Sequence, residues 1–336
     1  MHWLEPYWSS LNLVSLTLWP LSLLYGGFMT LRRLAYRRGL LHGQRLEIPV
    51  IALGTLTRGD SGITSLIIRL VDVLKTAGYR PGIVSPGAGG QSREWPRRVN
   101  PDSDPREVGT QAVLLARRCH CPVAAGPDPA AAARHLLGER TCNLIVAADA
   151  LQQYALARDI EIAVIAGQRS LGNRSCLPAG PLHEPLARLR SVDFVVDHGS
   201  AQQGEYLLTL EAGQAINLVD PLVTCSVAAF RGELVAAVAA DTDPAQFFGF
   251  LKTQGIRVLE HAFLEHHLFT AAELDSNEDL PVLLPEQDAL KCRSLANERC
   301  WYIPFQARLD PELERQLLVR LGRLSGKTLN PSLQPE

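Results

Sequence analysis

Apolar residues between positions 48 and 85 follow two different spacings, and together they predict a β–loop–α–β unit. A continuous apolar run at residues 50–53 is typical of a buried strand. After a glycine-bearing loop, apolar residues recur at helical spacing until Gly78, where the helix is expected to end. These helical positions are Leu66, Ile67, Leu70, Val71 and Leu74. A second strand is then predicted at residues 82–85.

The loop of this unit has the shape of a phosphate-binding loop. It ends in Gly62-Ile63-Thr64, whereas a P-loop ends in Gly-Lys-Ser/Thr, with the lysine on the terminal phosphates and the hydroxyl on Mg²⁺. The hydroxyl is present and the lysine is absent, and Asp60 adds a carboxylate beside the loop amides. From the loop alone, an ordinary βα turn stays open as the alternative to a nucleotide site.

The N-terminal region predicts a helix associated with a membrane. Residues 11–29 carry no charge, but Asn12, Pro20 and Ser22 interrupt them, which makes the stretch a poor membrane span. Its tryptophans suit the headgroup zone, and four arginines that follow suit anionic lipid. These arginines are Arg32, Arg33, Arg37 and Arg38. We therefore expect a monotopic interfacial helix, with a buried helix of a soluble domain as the alternative.

Composition narrows the class of protein only slightly. The chain has 336 residues, enough for two domains, and 46% of them are hydrophobic, which permits a sizeable core. A formal net charge of -2 gives no argument for nucleic acid, and no nucleic-acid partner is expected. Seven cysteines, an odd number, fit a reducing compartment. Cys119-His120-Cys121 lacks a second ligand pair at zinc spacing and is interpreted as structural.

Four segments are predicted along the chain. They are residues 1–43, the membrane-anchoring helix and its basic flank; 44–203, an α/β lobe with a P-loop-like unit; 204–227, a β-ribbon; and 228–336, a smaller α/β lobe. The expected fold class is therefore α/β, with a P-loop-NTPase-like parallel sheet, a linking ribbon and a second lobe. A cleft between the lobes, at the carboxyl ends of the strands, is the expected place for a substrate.

The motifs of this chain, in their order, resemble those of the tetraacyldisaccharide 4'-kinases, the lipid A kinases of Gram-negative bacteria. Residues 54–65 match a loop like GNLTxGGxGKTP, residues 148–153 match DDGLQH, and residues 177–185 match LPAGPLREP. Residues 262–268 correspond to FPDHHPY, and residues 285–291 correspond to TEKDAVK. The resemblance covers nearly the whole chain. It implies transfer of the ATP γ-phosphate to the 4'-hydroxyl of a tetraacylated glucosamine disaccharide.

The resemblance also implies site residues, cofactors and partners. Asp149 and His266 take the places of catalytic residues, and Thr64, Asp149 and Glu184 would hold Mg²⁺. The positions implied for the nucleotide are Thr57, Gly59, Ser61, Gly62, Thr64, Glu184 and Glu286. The cofactors are ATP and Mg²⁺ if the protein is active, and none if it is silent. The implied partners are the lipid A disaccharide precursor and the anionic lipids of the inner membrane, at whose cytoplasmic face the protein would lie.

Several charged positions of the family pattern are lost. Ile63 replaces the loop lysine, and Thr110 replaces an aspartate that pairs with the family's catalytic histidine. The other losses are Ala148 for the first strand-end aspartate, Gln153 for a histidine and Gln287 for a lysine. Because phosphoryl transfer depends on positioning and charge neutralisation, each loss is expected to lower the rate. With Thr110 in that place, His266 is expected to lack its aspartate partner.

Two loops also depart from the pattern. Residues 85–90 keep the glycines of an SRGYGG loop without its Arg and Tyr, so a plain turn with modest backbone contacts is expected. Residues 239–244 stand against AGIGxP, without glycine and with two added carboxylates. The sequence therefore favours a catalytically impaired homologue that binds or regulates. The alternative is an active, divergent lipid A 4'-kinase that takes a cation from Arg58 or Arg93.

Overall fold

A computed structural model of the chain describes residues 6–57, 62–138, 141–241, 243–275 and 279–325, and at 168, 169 and 325 the backbone alone. The helices are α1 (Leu13–Arg37), α2 (Ile63–Thr76), α3 (Pro105–Val108), α4 (Thr110–Cys119), α5 (Pro129–Gly138), α6 (Pro244–Thr253), α7 (Ala271–Asp275), α8 (Glu286–Cys292) and α9 (Pro311–Ser325). The strands are β1 (Val50–Thr55), β2 (Pro81–Ser85), β3 (Arg97–Val99), β4 (Val123–Ala125), β5 (Leu144–Ala147), β6 (Ile160–Ile165), β7 (Phe194–His198), β8 (Tyr206–Ala212), β9 (Ala215–Asn217), β10 (Thr224–Cys225), β11 (Leu234–Ala239), β12 (Arg257–Ala262), β13 (Val282–Pro285), β14 (Cys300–Ile303) and β15 (Phe305–Leu309).

The first lobe is built on a nine-stranded sheet in the order β15-β8-β7-β6-β1-β5-β2-β4-β3. Its inner strands pair in parallel, and β15 and β3 run antiparallel at the two edges. Helices α2, α4 and α9 cover one face through a large apolar cluster, and α5 covers the other. Because β1, β5 and β2 are parallel neighbours, their carboxyl ends open at one edge of the sheet. The expectation of an α/β fold with a parallel sheet is confirmed.

The β–loop–α–β unit predicted from hydrophobic spacing is present. Strand β1 is buried along most of its length and leads through the loop to α2. Gly62 caps α2 in the left-handed region at φ +77, where a Cβ would be strained. The described helix buries the predicted apolar stripe and ends before Gly78, and β2 follows at Pro81–Ser85. The spacing of apolar residues and the positions of the glycines were therefore sufficient to locate this unit.

The chain returns to the first lobe at its carboxyl end, unlike the predicted division into segments. Strand β8, which lies in the predicted ribbon, pairs in parallel with β7 and antiparallel with β15. Helix α9 then packs on α2 through Leu313, Leu317 and Leu321. Alternation of apolar and polar residues indicates a strand with one buried face, but it does not identify the neighbouring strand. A ribbon and an edge strand therefore have the same pattern.

The second lobe is a six-stranded sheet in the order β10-β9-β14-β13-β11-β12. Strands β11, β12, β13 and β14 pair in parallel, and β9 and β10 are antiparallel. The parallel register sets Ala239 of β11 opposite Ala262 of β12, so the loops that follow both strands begin at the same edge. This edge faces the first lobe and supplies its half of the cleft described below.

Helix α1 has an inverted distribution of small and large side chains. Its buried face consists of Ser15, Ser22, Gly26 and Met29, and Ser22 donates to the Cys176 carbonyl at 2.5 Å. Most of its large apolar side chains point outward, and 22% of its most apolar stretch of 18 residues is buried. Within the part of the chain described here, α1 is the helix that is long and apolar enough to cross a membrane by length and composition.

Candidate active site

Three side chains from the first lobe meet at the carboxyl edge of its sheet. Asp149 follows β5, Thr64 lies in the first turn of α2, and Gln111 lies in the first turn of α4. The Gln111 amide donates to Asp149 Oδ2 at 2.9 Å and lies 3.5 Å from Thr64 Oγ1. Ser85 at the end of β2 donates to Gln111 Oε1 at 3.1 Å. The structure therefore brings together Thr64 and Asp149, two of the predicted metal ligands, which come after the neighbouring strands β1 and β5.

Asp149 is held in an unusual backbone conformation. Its φ is +48, in a region that non-glycine residues enter rarely and that functional sites often retain. Burial raises the pKa of its carboxyl, the hydrogen bond from Gln111 lowers it, and the charge of Glu265 raises it. A carboxylate next to a hydroxyl offers hard oxygen donors, which suit a magnesium ion.

These residues line a cavity of about 340 Å³ between the two lobes. Thr57 and Ile63 line it from the first lobe, and His266 and Gln287 line it from the second. Among the described residues of its lining there is neither lysine nor arginine. Arg93, one of the two predicted cation donors, is exposed and lines neither this cavity nor the apolar one beside it. Arg58, the other donor, lies outside the described residues, as do the predicted nucleotide contacts Gly59 and Ser61.

Asp241, His266 and Lys291 of the second lobe form a charged triad, of which Asp241 and His266 line the same cavity. Asp241, just beyond β11, accepts a hydrogen bond from the His266 backbone N–H at 2.7 Å, and its Oδ1 lies 3.7 Å from His266 Nδ1. Lys291 Nζ lies 2.6 Å from the same carboxylate oxygen. The Asp241 and Lys291 side chains are almost fully buried, at 3% and 6% exposure, while His266 is 42% exposed. Thr110, which stands in the place of the family's aspartate, lines the cavity as well, and a different carboxylate, that of Asp241, lies beside His266.

The triad shifts the proton affinity of its members in opposite directions. Burial alone would raise the pKa of Asp241, but His266 and Lys291 together hold that pKa well below its usual range. Asp241 raises the pKa of His266, burial and Lys291 oppose this, and the net shift is upward. Asp288 lies behind Asp241 and accepts from the backbone N–H groups of Ala240 and Asp241, both at 2.9 Å. Burial and the Asp241 charge raise the pKa of Asp288 to about 6.

The glycine loop of the first lobe contacts the His266 ring directly. A Cβ built on Gly89 would lie 2.7 Å from His266 Nδ1 and 3.0 Å from Cγ, closer than real Cβ atoms approach. Gly89 also has φ +76, which favours glycine. The loop predicted as a plain turn thus packs its backbone on the imidazole and limits where the ring can sit.

Glu184 is not brought together with Thr64 and Asp149. It is buried beneath α1, where Tyr154 donates to one carboxylate oxygen and Arg188 Nε lies 3.1 Å from the other. Arg188 also pairs with Glu161 at 2.6 Å. In this structure Glu184 satisfies buried partners, and its predicted role as a metal and nucleotide ligand stays a prediction. Its neighbour His183 lines the 340 Å³ cavity instead.

Glu286 links the two lobes. Both of its carboxylate oxygens lie 2.9 Å from Arg118 Nη1, which joins α8 of the second lobe to α4 of the first. It also lines a second, mostly apolar cavity of about 150 Å³ beside Gly62, Phe247 and Phe250. Because Thr64 lines this cavity as well as the polar one, the two are neighbouring parts of one interlobe cleft.

Sequence reasoning missed two of the residues that organise the site. Gln111 directly follows Thr110 in the sequence, and its bridging amide is apparent only once β2, α2 and α4 are packed together. Asp241 was visible as an added carboxylate, but it is 25 residues from His266 in sequence. The parallel pairing of β11 with β12 places both residues at one edge, and no local pattern in the sequence shows that pairing.

Comparison with known proteins gives a consistent result over nearly the whole chain. Residues 14–322 match the family model described as tetraacyldisaccharide-1-P 4'-kinase. The chain is 45% identical over 313 residues to a tetraacyldisaccharide 4'-kinase of Alkalilimnicola ehrlichii, covering 92% of this chain and 93% of that one. It is 41% identical over 324 residues to the corresponding protein of Nitrosococcus oceani, with 96% of each chain covered.

A solved structure shares the fold. The LpxK protein of Aquifex aeolicus, crystallised in complex with ATP, superposes with a TM-score of 0.74 at 25% identity, covering 92% of this chain and 99% of that one. The relatives are named as kinases, and nothing in these matches indicates an impaired or regulatory homologue. They therefore support the active, divergent kinase better than the impaired homologue that the lost charges favoured. This chain is a member of the tetraacyldisaccharide 4'-kinase family, the lipid A 4'-kinases.

Proposed function

We propose that this protein is an active, divergent lipid A 4'-kinase, which transfers the γ-phosphate of ATP to the 4'-hydroxyl of a tetraacylated glucosamine disaccharide. The observation that carries the proposal is the convergence of Thr64 and Asp149 from one lobe with His266 from the other, around one 340 Å³ cavity. Oxygen donors and a base on opposite walls of a cleft suit an in-line transfer between two bound substrates.

The first lobe would hold the nucleotide and its metal. Within the described residues no side chain caps the amino end of α2, and the backbone amides and dipole at a helix amino end favour a phosphate group. Thr64 Oγ1 and Asp149 Oδ2 are the donors that fit Mg²⁺, which when bound would neutralise charge on the phosphate oxygens. The apolar cavity beside Gly62, between Phe247 and Phe250, is the place in this cleft that suits a purine ring.

The second lobe would hold the base. The Nδ1 edge of His266 faces Asp241, which favours the tautomer with a proton on Nδ1 and leaves Nε2 to accept the proton of a hydroxyl. As that proton moves to Nε2, the 4'-oxygen forms a bond to the γ-phosphorus and the bond to the leaving ADP oxygen breaks. Asp241 stabilises the imidazolium that results.

The membrane helix would bring the enzyme to its acylated substrate at the cytoplasmic face of the inner membrane. Helix α1 exposes Leu24, Phe28 and Leu31 by more than half while burying small residues, the reverse of a helix that packs into a soluble core. Arg37 and Arg38 at its end suit anionic lipid. Replacing Leu24 by Glu removes about 1.5–3 kcal/mol of apolar burial. We expect sedimentation with anionic vesicles to fall roughly tenfold or more, whereas a Leu222→Glu control, at an exposed position in the second lobe, should still sediment.

A second candidate function is a homologue that binds the lipid precursor with little or no turnover. The observation that favours it is the absence of lysine and arginine from the described lining of the cleft, since an oriented charge contributes roughly 2–4 kcal/mol to a transition state. The loop at residues 58–61, which includes Arg58, lies outside the described residues and is the place from which the active kinase would draw its cation.

Complementation separates the two candidates. A strain with a conditional loss of its lipid A 4'-kinase receives the unmodified chain, an Ile63→Lys version or a His266→Gln version. The proposal expects growth with the first two and none with the third. Growth with Ile63→Lys alone would favour the binding homologue, because it would show a site that needs the missing lysine.

A further inference from the structure

We infer that Asp241 is the positioning carboxylate of His266, supplied from within the second lobe. The inference rests on the proposed function, because that function requires a base. The role assigned to Asp241 is to set the orientation and the proton affinity of this base. Asp241 touches neither reacting atom in the proposed reaction. It acts through the histidine, and its effect should therefore be visible in the behaviour of the imidazole itself.

Two contacts fix the geometry between Asp241 and His266. The carboxylate accepts the His266 backbone N–H at 2.7 Å, which holds the loop, and it faces the ring Nδ1 at 3.7 Å, which orients the side chain. His266 adopts φ +65, a strained conformation that this backbone hydrogen bond helps to retain. The backbone of Gly89 also approaches Nδ1, where an added Cβ would lie 2.7 Å away. The imidazole is thus in contact with one lobe's carboxylate and with the other lobe's backbone.

Lys291 sets the strength of the interaction between Asp241 and His266. Its ammonium lies 2.6 Å from the Asp241 oxygen that faces the ring, 4.0 Å from Asp288 and 3.3 Å from the His267 carbonyl. The cation keeps Asp241 ionised at neutral pH despite its burial, and it also withdraws part of the carboxylate's field from the imidazole.

Other charged groups act on the same ring. Glu265 Oε1 lies 3.9 Å from His266 Nε2 on the open side, and it is half exposed. Across the cavity the first lobe presents a second histidine, a carboxylate and a hydroxyl. The groups that face His266 or its carboxylate are Asp241, Glu265, Lys291 and Asp288 from the second lobe, and Asp149, His183 and Thr110 from the first.

The test measures the titration of His266 in the full-length protein. Ring C–H signals are followed by NMR from pH 5 to 9, with His266 assigned by the signal that a His266→Gln variant lacks. In Asp241→Asn we expect the pKa of His266 to fall, and the acid limb of kcat/KM to move to lower pH with it, because a base must be neutral to accept a proton. We expect kcat to fall at least tenfold. Asp243→Asn, in the same loop but exposed and able to keep its helix cap, should change neither.

A second variant gives a shift of opposite sign. Lys291→Gln removes the cation that competes for Asp241, so the pKa of His266 should rise and the acid limb should move to higher pH. This variant also carries the test if Asp241→Asn leaves a buried lysine unpaired and fails to fold. Shifts in opposite directions would support the inference. An unchanged pKa of His266 in either folded variant would overturn it.

The inference and the proposed function fail separately. If the protein transfers no phosphate, the NMR titration still decides whether Asp241 controls His266. If the protein is active but the acid limb of kcat/KM does not move in Asp241→Asn, the proposed kinase function is supported and the positioning role of Asp241 is contradicted.

Discussion

The two walls of the cleft differ in how their charges are balanced. On the first-lobe wall, Asp149 is paired with a neutral amide, that of Gln111, and no described lining residue is lysine or arginine. On the second-lobe wall, Asp241 stands between a histidine and Lys291. Both walls contain a buried carboxylate, but burial raises the pKa of Asp149 while its two partners lower the pKa of Asp241.

This difference shows what a lost charge requires of its surroundings. A replacement works when another side chain can reach the same atom, and Asp241 reaches His266 because parallel pairing of β11 and β12 sets both loops at one edge. On the first-lobe wall the amide of Gln111 reaches Asp149 but brings no charge. A bound magnesium ion would there have to supply most of the positive charge in the described part of the site.

The largest expected effect is on the second-lobe wall. His266→Gln removes the base and should lower kcat by roughly 10²- to 10⁴-fold, while thermal stability changes little because the side chain is 42% exposed. Kinase assays and thermal melts on the same samples measure both. His267→Gln is the control, since His267 pairs with Glu273 and stacks on Phe263 away from the cavity. Equal losses in the two variants would contradict the role of His266.

The next effect tests the first-lobe wall. Ile63→Lys places an ammonium at the position where a P-loop carries its lysine, and we expect kcat/KM for ATP to rise by about 10²-fold, the effect of one oriented charge. Ile63 is 5% exposed and packs in the core, so some stability is lost. Ile63→Met separates length from charge. If the lysine gives no gain over methionine, a cation already serves this wall.

A smaller effect is expected where the two walls touch. Gly89→Ala forces the His266 ring to move, because the new methyl group would lie 2.7 Å from Nδ1, and we expect kcat to fall about tenfold. Gly78→Ala is the matched control, since Gly78 also has a positive φ of +80 but nothing lies within 4 Å of its Cβ position. Both variants carry the same backbone cost, so equal activity would show that the ring position does not matter.

The smallest expected effect is on the magnesium dependence of the rate. Gln111→Glu adds a carboxylate beside Asp149, and we expect the Mg²⁺ concentration at half-maximal activity to fall about threefold, because attraction of the cation outweighs repulsion between the carboxylates. A magnesium titration of the rate measures it. Gln246→Glu adds the same charge to the neighbouring apolar cavity and should leave the magnesium dependence unchanged.

Local elements of this protein could be predicted from sequence, whereas their assembly could not. The strand and helix around Gly62 follow from hydrophobic period and glycine position, which depend on nearby residues only. Strand β8 was predicted as a strand but placed in a ribbon, because alternation does not name a partner across about 100 residues of chain.

The site was predictable to the same extent. Thr64 in the first turn of α2 and Asp149 after β5 both lie beside Gln111, and their role as metal ligands stays a prediction. Glu184 was assigned to the metal, but in the structure it pairs with Arg188, four residues on. The partner of His266 depends on strand order in the second sheet, which no local pattern contains.

The most direct measurement is phosphate transfer by the purified full-length chain. The protein is incubated with γ-labelled ATP, Mg²⁺ and a tetraacylated glucosamine disaccharide, and the label on the acceptor is measured beside a His266→Gln sample. We predict that label accumulates at the 4'-position with the unmodified chain and falls at least a hundredfold in the variant. Label on the acceptor no higher than in the His266→Gln sample would contradict the account.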